Sequence, residues 1–240
     1  HTAPAWFAEN KPFGNPAELL ITPDHYVFRM LYSQGITLDQ LGITGTSDSR
    51  KSITDPRAVW RLFASNYHLF RATPSRIWLD HVFFEIFDFE VPLSGVTSDV
   101  YFDRIQALLG TEEFLPRHLF DKFNIELLAT TESPLDELIH HNTIIASDWD
   151  GRVITTFRPD PVTDPEFEGF STNVTLLGEL TGRDTASFPE YLAALQDRRQ
   201  YFQARGATAT DHGNPTASTA DLSPSESEHL FHKILTGDFS

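Results

Sequence analysis

After Asn124 the apolar residues change their spacing, and that change constrains the fold more than any other feature of the chain. Ile125–Thr130, Val153–Phe157 and Ala207–Thr210 are short runs of branched and apolar residues, each closing on polar groups. Such runs read as strands, because β-branched and aromatic side chains suit a pleated surface packed against its neighbours. Pro159 stops the second run, having no N–H to offer a ladder. Helical patterns lie between the runs. Ser133-Pro134-Leu135-Asp136 supplies a cap, a first-turn proline and an acid, ahead of a stripe of Leu135, Leu138, Ile139 and Ile145. A second helix, from about Phe188 to Arg205, turns Phe188, Tyr191, Leu192, Leu195 and Phe202 inward, and Gly206 closes it. Strand, helix, strand, helix, strand implies parallel pairing with right-handed crossovers. Three strands then deliver Thr131, Arg158 and Asp211 at their carboxyl ends.

Upstream the pattern is helical. His1 to Pro23 reads as irregular structure with one short helix around Pro16 to Leu20. Asp24 is placed to cap a helix whose first turn holds His25 and Tyr26, whose stripe is Val27, Met30 and Leu31, and which Gly35 stops. A capping residue followed by proline opens two more helices. Asp55-Pro56 turns Val59, Leu62 and Phe63 inward, and Thr73-Pro74 turns Ile77, Trp78, Val82 and Ile86 inward. A further helix runs from about Asp99 to Leu109 and is closed by Gly110. The region from Asp24 to about Phe123 is therefore helical, and βα units occupy 124–240.

A closed (β/α)₈ barrel takes about 250 residues, yet this chain spends 240 on three clear strands and a helical region. An open three-stranded parallel sheet would leave apolar faces and edges uncovered. A small α/β domain of unusual form and a piece of a longer barrel both satisfy the pattern, and the second is the expectation: a partial TIM-type barrel in one domain, ended after a last helix near Ser225–Leu235.

Charge and composition narrow the function. With 18 Lys and Arg against 34 Asp and Glu, the formal charge is -16. A surface that tracks phosphates gains much of its affinity from clustered cations, so a nucleic-acid partner is not expected. An anionic substrate would need a local cationic pocket. No apolar run is long enough to span a bilayer, and no charged-then-apolar leader is present, so the expectation is a soluble, cytoplasmic protein. With no cysteine, disulfides, thiolate metal sites and a Cys nucleophile are excluded. Nothing in the sequence sets an oligomeric state, and a homo-oligomer stays open.

No glycine-rich phosphate loop, Ser-centred elbow or His-Glu-x-x-His pattern occurs. The chemistry must be argued from position, since parallel α/β folds collect functional groups at the carboxyl ends of their strands. Arg158 either grips a carboxylate with its forked guanidinium or pairs with a structural acid. Asp211, followed by His212, is a base, a hydrogen-bond acceptor, a supporting partner, or the cap of a following helix. His25 and Tyr26 pair an acid or base with a phenol that can donate to a substrate oxygen, unless Tyr26 simply packs against the helical region. Asn66-Tyr67-His68-Leu69-Phe70 and His81-Val82-Phe83-Phe84 have the spacing of core rather than of a cofactor box. His140 and His141 are adjacent and point about 100° apart on a helix, so they chelate poorly. His229 and His232 could share a metal at i and i+3, but Glu226 and Glu228 beside them suggest a solvated face.

Four separated segments, taken in order, resemble the bacterial uronate isomerases, also called glucuronate isomerases. They are Asp24-His25-Tyr26 with Phe28-Arg29-Met30; Ala129-Thr130-Thr131 with Ser133-Pro134-Leu135-Asp136 and His140-His141; Phe157-Arg158-Pro159-Asp160; and Thr210-Asp211-His212. The resemblance runs from His1 to the C-terminus. Glu132 stands where the family pattern leads one to expect aspartate. The resemblance implies membership of the amidohydrolase superfamily and a distorted (β/α)₈ barrel with a large helical insertion, here 24–123, after the first strand. It implies interconversion of D-glucuronate with D-fructuronate, and of D-galacturonate with D-tagaturonate, through a cis-enediol.

That chemistry needs a base at the α-carbon, an acid or electrophile at the carbonyl oxygen, and a cation for the carboxylate. By the resemblance, His25 and Tyr26 serve the carbonyl and hydroxyl oxygens, with Tyr26 as proton donor. Arg158 contacts the substrate and Asp211 hydrogen-bonds within the site. His1 corresponds to the second histidine of a pair that holds a divalent metal, often zinc. The first histidine of that pair, an aspartate ligand and a further arginine fall outside these 240 residues. The chain is thus expected to be about half of a family member and inactive by itself. Metal-assisted hydrolysis of a lactone or amide on the same scaffold is the alternative reaction, and a non-catalytic helical binding module, with the aromatic helices from Trp60 to Phe87 as its surface, is the alternative class.

Overall fold

The computed structural model describes residues 3–43, 55–214, 216 and 218–238. It resolves into two compact units: one runs from Asn10 to Phe123, and the other combines Thr2–Glu9 with Asn124–Ser240. The second unit starts with α1 (Pro4–Glu9), which packs against the helical residues 139–145, and its Phe7 stacks on Trp149 at 5.6 Å. The sequence pattern gave no sign of α1, a six-residue helix with no capping signal.

The first unit is helical, with no strand among its described residues. It holds α2 (Pro16–Leu20), α3 (His25–Ser33), α4 (Pro56–Ser65), α5 (Pro74–His81), α6 (Ser98–Leu109) and α7 (Pro116–Lys122). The caps do what their chemistry allows. Asp24 accepts from the N–H groups of Tyr26 and Val27, Asp55 from Arg57, and Thr73 from Arg76, so each satisfies donors that a helix start leaves unpaired. Gly35, at φ +88, takes the left-handed conformation after α3 that a side chain would resist.

The core of this unit is aromatic. Trp60, Phe63, Phe83 and Tyr101 are buried, and Trp60 donates its indole N–H to the Ser98 carbonyl at 2.9 Å. Phe83 meets Tyr101 edge-on at 5.2 Å and Tyr67 at 5.8 Å, the geometry that aligns ring edges with ring faces. Burial pushes the Tyr101 phenol up to about 12. The aromatic clusters are thus core, as their spacing suggested. The facing of α5 differs from expectation: Ile77 and Trp78 are exposed, while Leu79, Phe83 and Phe87 point inward. A wider π-type turn at Val82–Ile86 follows α5, and it lengthens the repeat so that every fourth residue faces the core.

The second unit carries β1 (Leu128–Glu132), α8 (Ile139–Ile145), β2 (Val153–Phe157), α9 (Asp160–Thr163), α10 (Phe170–Thr181), α11 (Phe188–Gln203) and α12 (Pro224–Leu235). β1 and β2 pair in parallel, with Thr130 opposite Thr155 and Glu132 opposite Phe157. The expectation of three strands needs correction. Among the described residues the sheet has two, and the run at Ala207–Thr210 contributes a single parallel bridge, Phe157 to Thr210. Thr208, Ala209 and Thr210 are exposed, so no burial fixes a longer ladder there. β1 also begins later than its apolar run, which brings Glu132 onto the strand.

The helix after β1 starts at Ile139, because Leu138 turns the chain at φ +55. That delay rotates the helix: Leu138, His141 and Ile144 face inward, while Ile139 and Ile145 are exposed. α11 turns Tyr191, Leu195 and Phe202 inward as expected, but Leu192 is exposed and Ala194 and Arg198 are buried. Gly178 sits mid-helix in α10 against Thr185, where a Cβ would meet Thr185 Oγ1 at 2.6 Å and the Arg183 carbonyl at 2.7 Å.

Candidate functional site

In the second unit, Arg158 leaves the carboxyl end of β2 with its direction set by the backbone. Its N–H donates to the Glu132 carbonyl at 3.0 Å, and the Asp211 N–H donates to the Phe157 carbonyl at 3.0 Å. The single bridge at Thr210 therefore brings Asp211 beside Arg158, and the guanidinium Nη2 donates to Asp211 Oδ2. Asp160 lies further off, its Oδ2 3.9 Å from Arg158 Nε, and its Oδ1 accepts the Gly213 N–H at 3.0 Å. Both side chains of the Arg158–Asp211 pair are nearly half exposed, at 48% and 41%. Ion pairs so open to water contribute about 0–1 kcal/mol, so the pair aims the guanidinium more than it stabilises the fold. One face of a five-donor fork is occupied, leaving other N–H groups for an oxyanion. Asp211 caps no helix among the described residues, since α12 is capped by Ser223. His212 is exposed.

Behind Arg158 lies a polar cluster that sequence reasoning missed. Thr130 and Glu132 alternate inward on β1, Thr155 answers them from β2, and His141 arrives from α8. His141 is 1% exposed and Thr155 0%. The Thr155 hydroxyl donates to Glu132 Oε2, Thr130 Oγ1 and His141 Nε2 share a hydrogen bond at 2.9 Å, and Nε2 lies 3.7 Å from Glu132 Oε2. Burial holds the His141 imidazole below its usual range, against the opposing pull of the Glu132 and Asp136 carboxylates. The missed signal was the period of two at Thr130 and Glu132, beside a histidine occupying a stripe position between Leu138 and Ile144.

The turn that carries β1 into α8 is clamped by Arg198 of α11. Its Nε donates to the Pro134 carbonyl and its Nη2 to the Asp136 carbonyl, both at 2.7 Å. Among the described residues no carboxylate pairs with this buried guanidinium; it stacks over Tyr201 at 4.1 Å instead, and burial lowers its pKa.

In the first unit, Asp24 fixes the first turn of α3, and the His25 and Tyr26 rings meet at 4.1 Å between centroids, tilted by 36°. Tyr26 is 68% exposed, and its phenol has no hydrogen-bond partner among the described residues. Packing against the helical region is thus not what holds it there. His1 lies outside the described residues. His229 and His232 are exposed on α12, and no group of three His, Asp or Glu side chains that could hold a metal occurs among the described residues.

A sequence model of the glucuronate isomerase family matches residues 1–239. The uronate isomerase of Sphingopyxis alaskensis is 59% identical over 244 residues, covering 100% of this chain and 51% of that protein. The uronate isomerase of Xanthomonas axonopodis pv. citri is 56% identical over 237 residues, covering 99% of this chain and 50% of that protein. Among solved structures, the glucuronate isomerase of Caulobacter crescentus superposes with a TM-score of 0.92 at 50% identity, over 100% of this chain and 50% of that one. The uronate isomerase of Thermotoga maritima superposes with a TM-score of 0.87 at 24% identity, which speaks for the fold alone. The chain spans about half the length of the curated relatives it matches. A match over residues 1–239 takes in both units but for Ser240, and the chain belongs to the glucuronate isomerase family.

Proposed function

We propose that this chain contributes to an aldose–ketose isomerase that interconverts D-glucuronate with D-fructuronate, and D-galacturonate with D-tagaturonate. The observation that carries the reading is Arg158, a half-exposed guanidinium at the carboxyl end of β2, aimed by Asp211 and with donors to spare. In an acidic chain, such a group is suited to the carboxylate that distinguishes a uronate from a neutral sugar. Asp211 keeps the fork oriented and accepts from a substrate hydroxyl. Tyr26, held by the Asp24 cap and open to water, donates its phenolic proton to the sugar carbonyl oxygen, and His25 serves the neighbouring hydroxyl. The net change is one proton moved from C2 to C1 and one moved from the C2 hydroxyl to the former carbonyl oxygen, so no redox partner is consumed.

On the same reading, the α/β unit is part of a distorted (β/α)₈ barrel and 24–123 is an insertion in it. A divalent metal, zinc by the resemblance, would draw on His1. The described residues do not compose a site for it, and no step is routed through it. Among the described residues no helix is long and apolar enough to cross a membrane, and the reading places the enzyme in the cytoplasm.

The test is steady-state conversion of D-glucuronate by a polypeptide of the relatives' length carrying Arg158→Lys or Tyr26→Phe. Losing the fork should act chiefly on KM, and losing the phenolic proton on kcat, with kcat/KM falling on the order of 100-fold in each. If both variants keep kcat/KM within threefold, neither residue has the role given to it.

A further inference from the structure

The helical unit holds a concentration of cationic and hydroxyl groups that the isomerase reading does not use. The end of α4, the turn Tyr67–Phe70 and its exit, α5, and the loop at Leu93–Gly95 enclose a concavity of about 310 Å³. Its polar lining is Ser65, His68, Arg71, Arg76 and Ser94, with Gly95 at its edge, and among the described residues no carboxylate lines it. In a chain with 34 acidic side chains against 18 basic ones, two guanidiniums and an imidazole around an acid-free hollow are a local reversal of charge.

The two arginines differ in how they are held. Arg76 is fixed in place: its Nε donates to Asp80 Oδ2 at 2.6 Å, its Nη1 to the Tyr67 carbonyl at 3.2 Å, and its guanidinium lies over the Tyr67 ring at 4.0 Å. Asp80 offsets its charge from outside the hollow, and Nη2 has no partner among the described residues. Arg71, His68 and Ser65, by contrast, have no side-chain hydrogen bond or ion pair among the described residues. Arg71 is followed by Ala72 at φ +63, a left-handed conformation that an L-residue keeps only where its surroundings impose it. At the edge, a Cβ on Gly95 would come within 3.0 Å of Ser65 Oγ, so the glycine leaves that hydroxyl room to turn inward.

We propose that this hollow is a binding site for a small phosphorylated molecule, separate from the residues assigned to isomerisation. A phosphate group offers acceptors in tetrahedral directions, which suits donors arriving from Arg71, Arg76, His68 and Ser65 on different walls better than a flat carboxylate does. A volume of about 310 Å³ lies at the lower end of ligand pockets and leaves space for a small organic group beside the phosphate. The proposal does not depend on the isomerase reading.

Inorganic phosphate titrated into the chain at fixed, low ionic strength, followed by amide NMR, tests it. The amides of Arg71, Ser94 and Gly95 should shift saturably, and Arg71→Ala, which removes an exposed side chain from a folded background, should weaken binding at least fivefold. Gly95→Ala, which narrows the edge, should weaken it without removing a charge. Sodium acetate in a parallel titration separates the two oxyanion classes. Phosphate affinity unchanged within twofold in Arg71→Ala would overturn the site, and acetate binding as tightly as phosphate would overturn the ligand class.

Discussion

His141 makes the stability of the α/β unit depend on pH in a direction that follows from its burial. The ring is 1% exposed, and the groups facing it are Thr130 and the Ile154 carbonyl on the strands, Glu132 at 3.7 Å, and Asp136 and His140 near its own helix. Burial is the largest of these influences and lowers its pKa. In the unfolded chain the ring titrates near the ordinary histidine value of about 6.5. As pH falls through that value, the unfolded state takes up a proton that the folded state refuses, so stability falls; it is regained as pH rises. For as long as the folded ring stays neutral, going from about pH 7.5 to about pH 5.5 costs about 1.4 kcal/mol from this one group. The perturbation is His141→Gln, which keeps a hydrogen-bonding side chain opposite Thr130 but cannot titrate. Urea unfolding, followed by the NMR intensities of the β2 amides so that only this unit is read, should show the parent losing more than the variant over that interval, by up to about 1.4 kcal/mol. Equal losses in the two proteins would refute a neutral buried ring. So would a His141 ring signal that is already protonated at pH 6.5.

Three further outcomes are expected. Arg198→Met leaves the Pro134 and Asp136 carbonyls without their donors and should cost about 2–4 kcal/mol in urea unfolding of the same unit; a loss under 1 kcal/mol would show that the clamp is dispensable. Gly178→Ala drives a methyl into Thr185 Oγ1 and the Arg183 carbonyl, and because one of those is backbone the helix must shift, costing about 1–3 kcal/mol by the same measurement. Asp24→Ala removes the acceptor for the Tyr26 and Val27 N–H groups at 2.8 and 3.3 Å; it should cost about 1 kcal/mol in thermal unfolding and raise amide exchange in the first turn of α3.

Three helix starts were legible because each has a local cause. Asp24, Asp55-Pro56 and Thr73-Pro74 act within three residues of themselves, and the sequence shows both the cap and what it caps. Facing was legible only where a helix keeps its phase. Val27 and Leu31 on α3 followed the stripe, but Ile77 and Trp78 on α5 did not, since the π-type turn at Val82–Ile86 lets Leu79, Phe83 and Phe87 take the inward positions. Ile139 and Ile145 misled for the same kind of reason: the left-handed turn at Leu138 resets where the helix begins. The third strand is only a bridge because pairing is a property of two segments, and Thr208 to Thr210 carry no burial that would extend it. Arg158 and Asp211 could be named from their place after strands, but that they pair with each other depends on the Phe157–Thr210 bridge.

The buried polar cluster was the least legible part, and it bears most on how firmly Arg158 is held. A glutamate, two threonines and a histidine look like surface residues in a sequence, and only the register that sets Thr130 against Thr155 turns them toward one another. The exposed Arg158–Asp211 pair contributes about 0–1 kcal/mol and is weakened further by salt. Leaving one buried member of the cluster unpaired costs about 1–3 kcal/mol. The constraint on the backbone at residue 158 therefore comes mainly from behind: Glu132 is tied through its side chain to Thr155 on β2, and its carbonyl receives the Arg158 N–H. Breaking the exposed pair lets the guanidinium swing while the strand ends stay in place. Emptying the cluster moves the strand end from which the guanidinium projects, so residues that never touch Arg158 decide where its side chain points.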